Sequence, residues 1–128
     1  MQKTPYDILG GEEGLRKLCA AFYHIMDTSD QTVEIRAMHG ESLAEIEAKL
    51  CDYLTTWLGG PNIWTEKNGG MCLTDSHAPY KIGPKVRDQW LFCMEKALEE
   101  VKASEEVRNL LKEPFWGIAN MVKNSTED

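Results

Sequence analysis

A chain of 128 residues, 42% hydrophobic and 27% charged, holds enough apolar side chain for one core and is far from the composition of a disordered segment. Its 21 acidic against 14 basic residues leave a formal net charge of -7, which argues against nucleic acid or an anionic membrane as partner. No stretch approaches the roughly 20 apolar residues of a membrane span, and the opening MQKTPYDILGG lacks the apolar run of a secretion signal, so one cytoplasmic domain over 1–128 is expected.

The hydrophobic period is 3.6 almost throughout. Residues 12–27 set Leu15, Leu18, Cys19, Phe22, Ile25 and Met26 on one stripe, and Asp27-Thr28-Ser29-Asp30 breaks it. A short segment, Val33 to Met38, follows. Ser42 with Glu45 three residues later reads as a capping box, which predicts a helix start there. That helix carries Leu43, Ile46, Leu50, Tyr53, Leu54, Trp57 and Leu58 on a wide apolar face, and Gly59-Gly60-Pro61 ends it.

Residues 59–83 are rich in glycine and proline and show no sustained period. So long a connection in a small domain points to function. A short helical turn is expected from Thr74 to His77, stopped by Pro79. Pro84 then opens a strong helix with Val86, Trp90, Cys93, Met94, Ala97, Leu98 and Val101 on its stripe. Ser104 starts the last helix, which places Val107, Leu110, Leu111, Phe115, Ile118, Ala119 and Val122 on its apolar positions and should kink or restart at Pro114. The chain reads as all-α, with connections too irregular for an up-and-down bundle and better suited to globin-like crossing.

Several chemistries find no support. Cys19, Cys51, Cys72 and Cys93 are widely spaced and read as small hydrophobes, and neither they nor His24, His39 and His77 make a zinc pattern. Ser42 and Ser104 are helix caps, and Gly59-Gly60-Pro61 follows a helix where a phosphate loop would follow a strand. His77 stands apart. A histidine on a short turn beside an apolar helix pair can ligate iron through one nitrogen while the other is held by a carbonyl.

The run His77-Ala78-Pro79-Tyr80-Lys81-Ile82, with Arg87-Asp88-Gln89-Trp90-Leu91-Phe92-Cys93-Met94 after it, resembles the second group of the truncated haemoglobins. Tyr6-Asp7 before Gly10-Gly11, Phe22-Tyr23, and Trp57-Leu58-Gly59-Gly60-Pro61 agree in order and spacing. The resemblance covers nearly the whole chain. It implies a shortened globin with helix pairs crossed two-over-two around haem b (iron protoporphyrin IX).

By the same resemblance His77 is the proximal iron ligand. Tyr23 is a distal hydroxyl donor to the bound ligand, and Trp90 is the indole over the distal cavity. Ile46, Leu50 and Leu54 line the haem from the helix before Gly59, with Ile46 where ordinary globins carry a distal histidine. His39 stands at the start of the distal wall as a further possible donor, a switch of ligand release by its protonation, or a ligand of ferric iron in a closed form. Relatives commonly carry an arginine just before the proximal histidine to pair with a haem propionate, and here Asp75-Ser76 stand there. Lys81 is the first replacement expected, ahead of Lys67 and Arg87.

Such a site binds dioxygen, nitric oxide or carbon monoxide. Donors at Tyr23, Trp90 and His39 imply tight binding and slow release, suited to storage or scavenging. An enzyme that turns nitric oxide to nitrate or activates peroxide is the alternative, and it implies a separate reductase as partner. A haem-free helical interaction domain is the alternative from another class.

Overall fold

Each helix begins and ends where side chains or a turn satisfy the backbone groups that a helix leaves unpaired. The computed structural model describes residues 3–68, 77 and 80–126. Thr4 caps α1 (Pro5–Ile8): its hydroxyl accepts from the Asp7 amide, and the Asp7 carboxylate accepts from the Thr4 amide, both at 3.2 Å. α2 (Gly11–Thr28) follows Gly10. Thr32, fully buried, donates its hydroxyl proton to the Met26 carbonyl at 2.9 Å and so satisfies the end of α2 beneath the turn into α3 (Val33–Ala37).

α4 runs from Ala44 to Trp57, and the expected capping box does not form. The Ser42 hydroxyl accepts from the Ala44 amide at 3.3 Å, which takes up the oxygen that a cap would offer one turn on. Gly59-Gly60 ends α4 as expected. Gly59 sits at φ 96°, and a Cβ on Gly60 would lie 2.8 Å from the Tyr6 ring. The Tyr6 amide donates to the Leu58 carbonyl at 3.0 Å, so α1 and the end of α4 form one packed unit.

The aperiodic stretch contains a helix that the hydrophobic pattern did not reveal, α5 (Ile63–Asn68). It is too short to show a period. Trp64 anchors it, with its ring 5.3 Å from that of Tyr53 and its amide donating to the Thr56 hydroxyl at 3.0 Å. Farther on, His77 is helical, while Cys72, Thr74, Asp75, Ser76 and Pro79 lie outside the described residues.

α6 (Pro84–Glu100) opens on proline as expected, and Ser104 caps α7 (Glu105–Val122) by accepting from the Val107 amide at 3.2 Å. Pro114 does not end α7. Proline has no amide to donate to the Leu110 carbonyl, and that turn lies at the surface, where water can replace the bond. Leu110, expected in the core, is 52% exposed, because it lies about a quarter turn off the face formed by Val107, Leu111, Phe115 and Ile118.

The packing is two helix pairs. α2 lies on α4, α6 lies on α7, and the pairs meet chiefly where α2 packs on α6. Leu15, Leu18, Phe22 and Met26 of α2, Leu54 of α4, Met94 of α6 and Val107 of α7 fill the centre. Each such side chain contributes roughly 1.5–3 kcal/mol by leaving water. The described residues contain no strand, and none of their helices is long and apolar enough to cross a membrane. Two helix pairs meeting in this way match the two-over-two crossing that the resemblance implies.

Candidate functional site

Polar fasteners set the position of α3 beside the helix pairs. Gln89 is 9% exposed amid the apolar stripe of α6. Its side-chain oxygen accepts from the Ile35 amide at 2.9 Å, and its nitrogen donates to Glu34 at 3.0 Å. That bond holds the Glu34 carboxyl below its usual range. Arg36 reaches Asp27 at 2.8 Å and donates to the Gly40 and Glu41 carbonyls at 2.8 and 3.0 Å. Together they fix the turn that carries His39. Neither Gln89 nor Arg36 stood out in the sequence as functional. The available signal was a glutamine at an inward position of an apolar stripe, which must find a partner when buried.

Between the pairs lies a cavity of about 780 Å³. Tyr23 reaches it from α2, His39 from the turn after α3, Ile46, Leu50 and Leu54 from α4, and Trp90 from α6. His77 joins them from the connection before α6. The structure thus brings seven of the eight expected site residues to one space. Lys81 is exposed and is not part of the wall. The wall also includes Met26, Tyr53, Trp64, Val86 and Ile118, so the interior is apolar and aromatic with few polar groups.

Aromatic packing fixes the two inner donors. The Phe22 ring stands edge-on to Tyr23 at 4.8 Å and to Trp90 at 5.3 Å, and Phe115 packs on Trp90 at 5.9 Å. Tyr23 is 5% exposed, and burial pushes its phenol well above the ordinary value, with the nearby Cys19 thiol adding to the shift. The hydroxyl therefore remains a proton donor at neutral pH. His39 faces the Tyr23 ring edge-on at 6.2 Å, and its Nδ1 donates to the Ile35 carbonyl at 2.8 Å.

Asn124, just past α7, clamps the segment that carries His77. Its side-chain nitrogen donates to the Tyr80 carbonyl at 2.6 Å and to the His77 carbonyl at 3.4 Å, and its side-chain oxygen accepts from the Ile82 amide at 2.8 Å. The Asn124 amide also donates to the Ile82 carbonyl at 2.9 Å. Sequence reasoning missed this residue, which sits in a polar tail with no motif around it.

The cations divide by position. Arg87 and Lys49 stand on the cavity wall. The Arg87 side chain is only 17% exposed, donates to Asp88 at 2.9 Å and to Asn120 at 3.1 Å, and lies over the Trp116 ring at 5.7 Å. Lys67 pairs with Asp52 at 3.0 Å instead.

The donor set fits a flat iron cofactor. Among the described residues no three His, Cys, Asp or Glu side chains gather to hold a bare metal ion. An apolar space with an imidazole at its edge suits a metal whose other positions are filled by a macrocycle. The model of the bacterial-like globin family matches residues 4–124. The chain belongs to the bacterial-like globins.

Within that family its relatives are group II truncated haemoglobins. This globin is 36% identical to the cold-adapted truncated haemoglobin of Pseudoalteromonas haloplanktis, with a TM-score of 0.92 over 96% of this chain and 99% of that one. The group II two-on-two haemoglobin of Agrobacterium tumefaciens gives the same identity and TM-score over 96% of this chain and 95% of its own. The group 2 truncated haemoglobin YjbI of Bacillus subtilis is 32% identical over 124 residues, 97% of this chain and 91% of the relative. Membership of this family implies a haem-binding globin that takes up diatomic gases.

Proposed function

We propose that this globin, one domain over 1–128, holds haem b in the cavity between its helix pairs through His77 and binds dioxygen with slow release. The observation that carries the reading is the convergence of His77, Tyr23 and Trp90 on one apolar space. When bound, the haem supplies an iron with a free position for dioxygen, nitric oxide or carbon monoxide.

The chain's own residues do the rest. Tyr23, whose hydroxyl is buried and keeps its proton, donates to the bound gas, and the Trp90 indole N–H does the same from α6. Ile46, Leu50 and Leu54 exclude water from α4 and add no donor. Arg87 and Lys49, being on the wall, are better placed than Lys81 to meet the carboxylates of the cofactor. Strong donors and the apolar face of α4 slow escape, which suits storage or scavenging better than delivery.

The test is the absorption spectrum of the purified protein with added haem. A Soret band that His77→Gly alters in the ferrous state, and that added imidazole restores, supports ligation through His77. An unchanged ferrous spectrum rejects it. Mixing the oxygenated protein with nitric oxide then separates two uses of the site. Binding without turnover supports storage or scavenging, and catalytic turnover with a reductant supports a redox enzyme served by a separate reductase.

A further inference from the structure

One helix of the cavity wall lacks the means to hold itself. α3 places Ile35 on that wall, and the turn after it adds Met38, His39 and Gly40. A helix of 5 residues is too short to persist by its own hydrogen bonds. Its N-cap Thr32 gives it no side-chain bond, because the Thr32 hydroxyl is spent on the Met26 carbonyl at the end of α2. Gln89 of α6 supplies what is missing. Its side-chain oxygen accepts from the Ile35 amide, a first-turn donor with no partner inside the helix, and its nitrogen donates to Glu34. The bond to Ile35 is buried, so breaking it strands a donor and an acceptor away from water. The pairs of Arg36 with Asp27 and of Lys85 with Glu34, at 2.8 and 3.9 Å, face solvent and are of smaller worth.

The position of this bond bears on access to the cavity. Gly40, Ser42, Glu45 and Lys49 are exposed and also stand on the cavity wall, so the cavity meets solvent between the turn after α3 and the start of α4. Trp90, the next residue after Gln89, stands on the same wall. One turn of α6 therefore fixes both the indole inside the cavity and the helix at its mouth. Ile35 passes the hold onward, since its carbonyl accepts from His39 Nδ1.

We propose that Gln89 is a positioning residue for gas binding: its carboxamide latches α3 to α6 and limits how fast a diatomic gas passes the mouth between α3 and α4. The proposal rests on the reading that haem occupies the cavity. When the latch opens, the Ile35 amide and the Gln89 carboxamide turn to water, and α3 frays. The turn after it then moves off the start of α4. Gas crosses during such openings, so weakening the latch raises entry and escape together.

The test uses the full-length protein with haem added, reduced and saturated with carbon monoxide. Gln89→Met keeps the length of the side chain and removes both bonds. Hydrogen exchange at the Ile35 amide should speed at least about tenfold. After flash photolysis, carbon monoxide should rebind from solvent about fivefold faster, with a smaller geminate fraction. Gln89→Glu sets a carboxylate against Glu34 and should act like Gln89→Met. Adding Glu34→Gln restores a donor opposite that carboxylate, and rebinding should return to within about twofold of the unaltered protein. Ser104→Ala, which removes the cap of α7, should lower the melting temperature and leave rebinding unchanged. If Gln89→Met does not fold, the exposed Glu34→Ala decides, and rebinding must quicken at least about twofold. Absence of a carbon monoxide-bound Soret spectrum in the unaltered protein would overturn the haem reading and this proposal with it. With that spectrum present, unchanged rebinding in Gln89→Met, an Ile35 amide that stays protected, no rescue by Glu34→Gln, or equal acceleration by Ser104→Ala would each overturn the proposal alone.

Discussion

The Nδ1 atom of His39 lies 2.8 Å from the Ile35 carbonyl oxygen. A carbonyl can only accept, so this nitrogen carries a proton, and a neutral His39 presents its other nitrogen as a lone pair. It can donate to a bound gas only after taking up a second proton. Replacement of His39 by leucine should therefore leave oxygen dissociation within about twofold of the unaltered protein. Stopped-flow displacement of oxygen reads the rate, and a variant that releases oxygen about fivefold faster, the worth of one hydrogen bond of ~1 kcal/mol, would show that His39 donates to the ligand.

Tyr23 should behave differently, because its buried hydroxyl keeps its proton far into the alkaline range. Tyr23→Phe should speed oxygen dissociation roughly 10- to 100-fold, as expected for a bond to a group with anionic character. The ratio between variant and unaltered protein should stay constant from about pH 6 to about pH 9. A ratio near one would show that the hydroxyl does not meet the ligand.

Asn124 acts at a distance from the gas, through the segment of His77. Asn124→Ala removes the bonds to Tyr80 and Ile82, and the haem should pass to an excess of apomyoglobin about tenfold faster, equivalent to ~1.4 kcal/mol. Asn124→Asp keeps an acceptor for the Ile82 amide and loses the donor to Tyr80, so its rate should fall between the two. Equal rates in all three proteins would mean that the clamp does not bear on the cofactor.

Alkaline pH should weaken the fold through its buried thiols. Burial pushes Cys93 from its ordinary value of 9.0 up to about 12, and the folded-state value is the higher one. Below pH ~9 both states keep the proton and the contribution is complete. Above it the unfolded chain loses the proton while the native chain retains it, so stability falls as pH rises toward 12, by at most ~1.4 kcal/mol per pH unit for one group. Urea midpoints should be level between about pH 7 and about pH 8 and decline above about pH 9. Cys93→Val should make the decline shallower.

Most helices were legible because their signals are local. Ser104 finds its amide three residues on, Pro84 opens a helix by its own ring geometry, and the stripe of α2 needs only the 3.6 period. The failures came where a local signal was absent or had a competitor. α5 is too short to show a period, Ser42 bonds two residues on and forms no capping box, and Leu110 is apolar but off the buried face.

The sequence by itself determined the helical class, the globin resemblance and three residues of the cavity wall, since His77, Tyr23 and Trp90 lie within short, ordered motifs. Only the tertiary structure decided which groups support them. Asn124 meets Ile82 across 42 positions, and Gln89 meets Ile35 across 54. It also decided that Arg87 and not Lys81 stands on the wall. A side chain's helix and phase follow from its neighbours in the chain. Its partner follows from where two packed helices cross, which no stretch of either helix encodes alone.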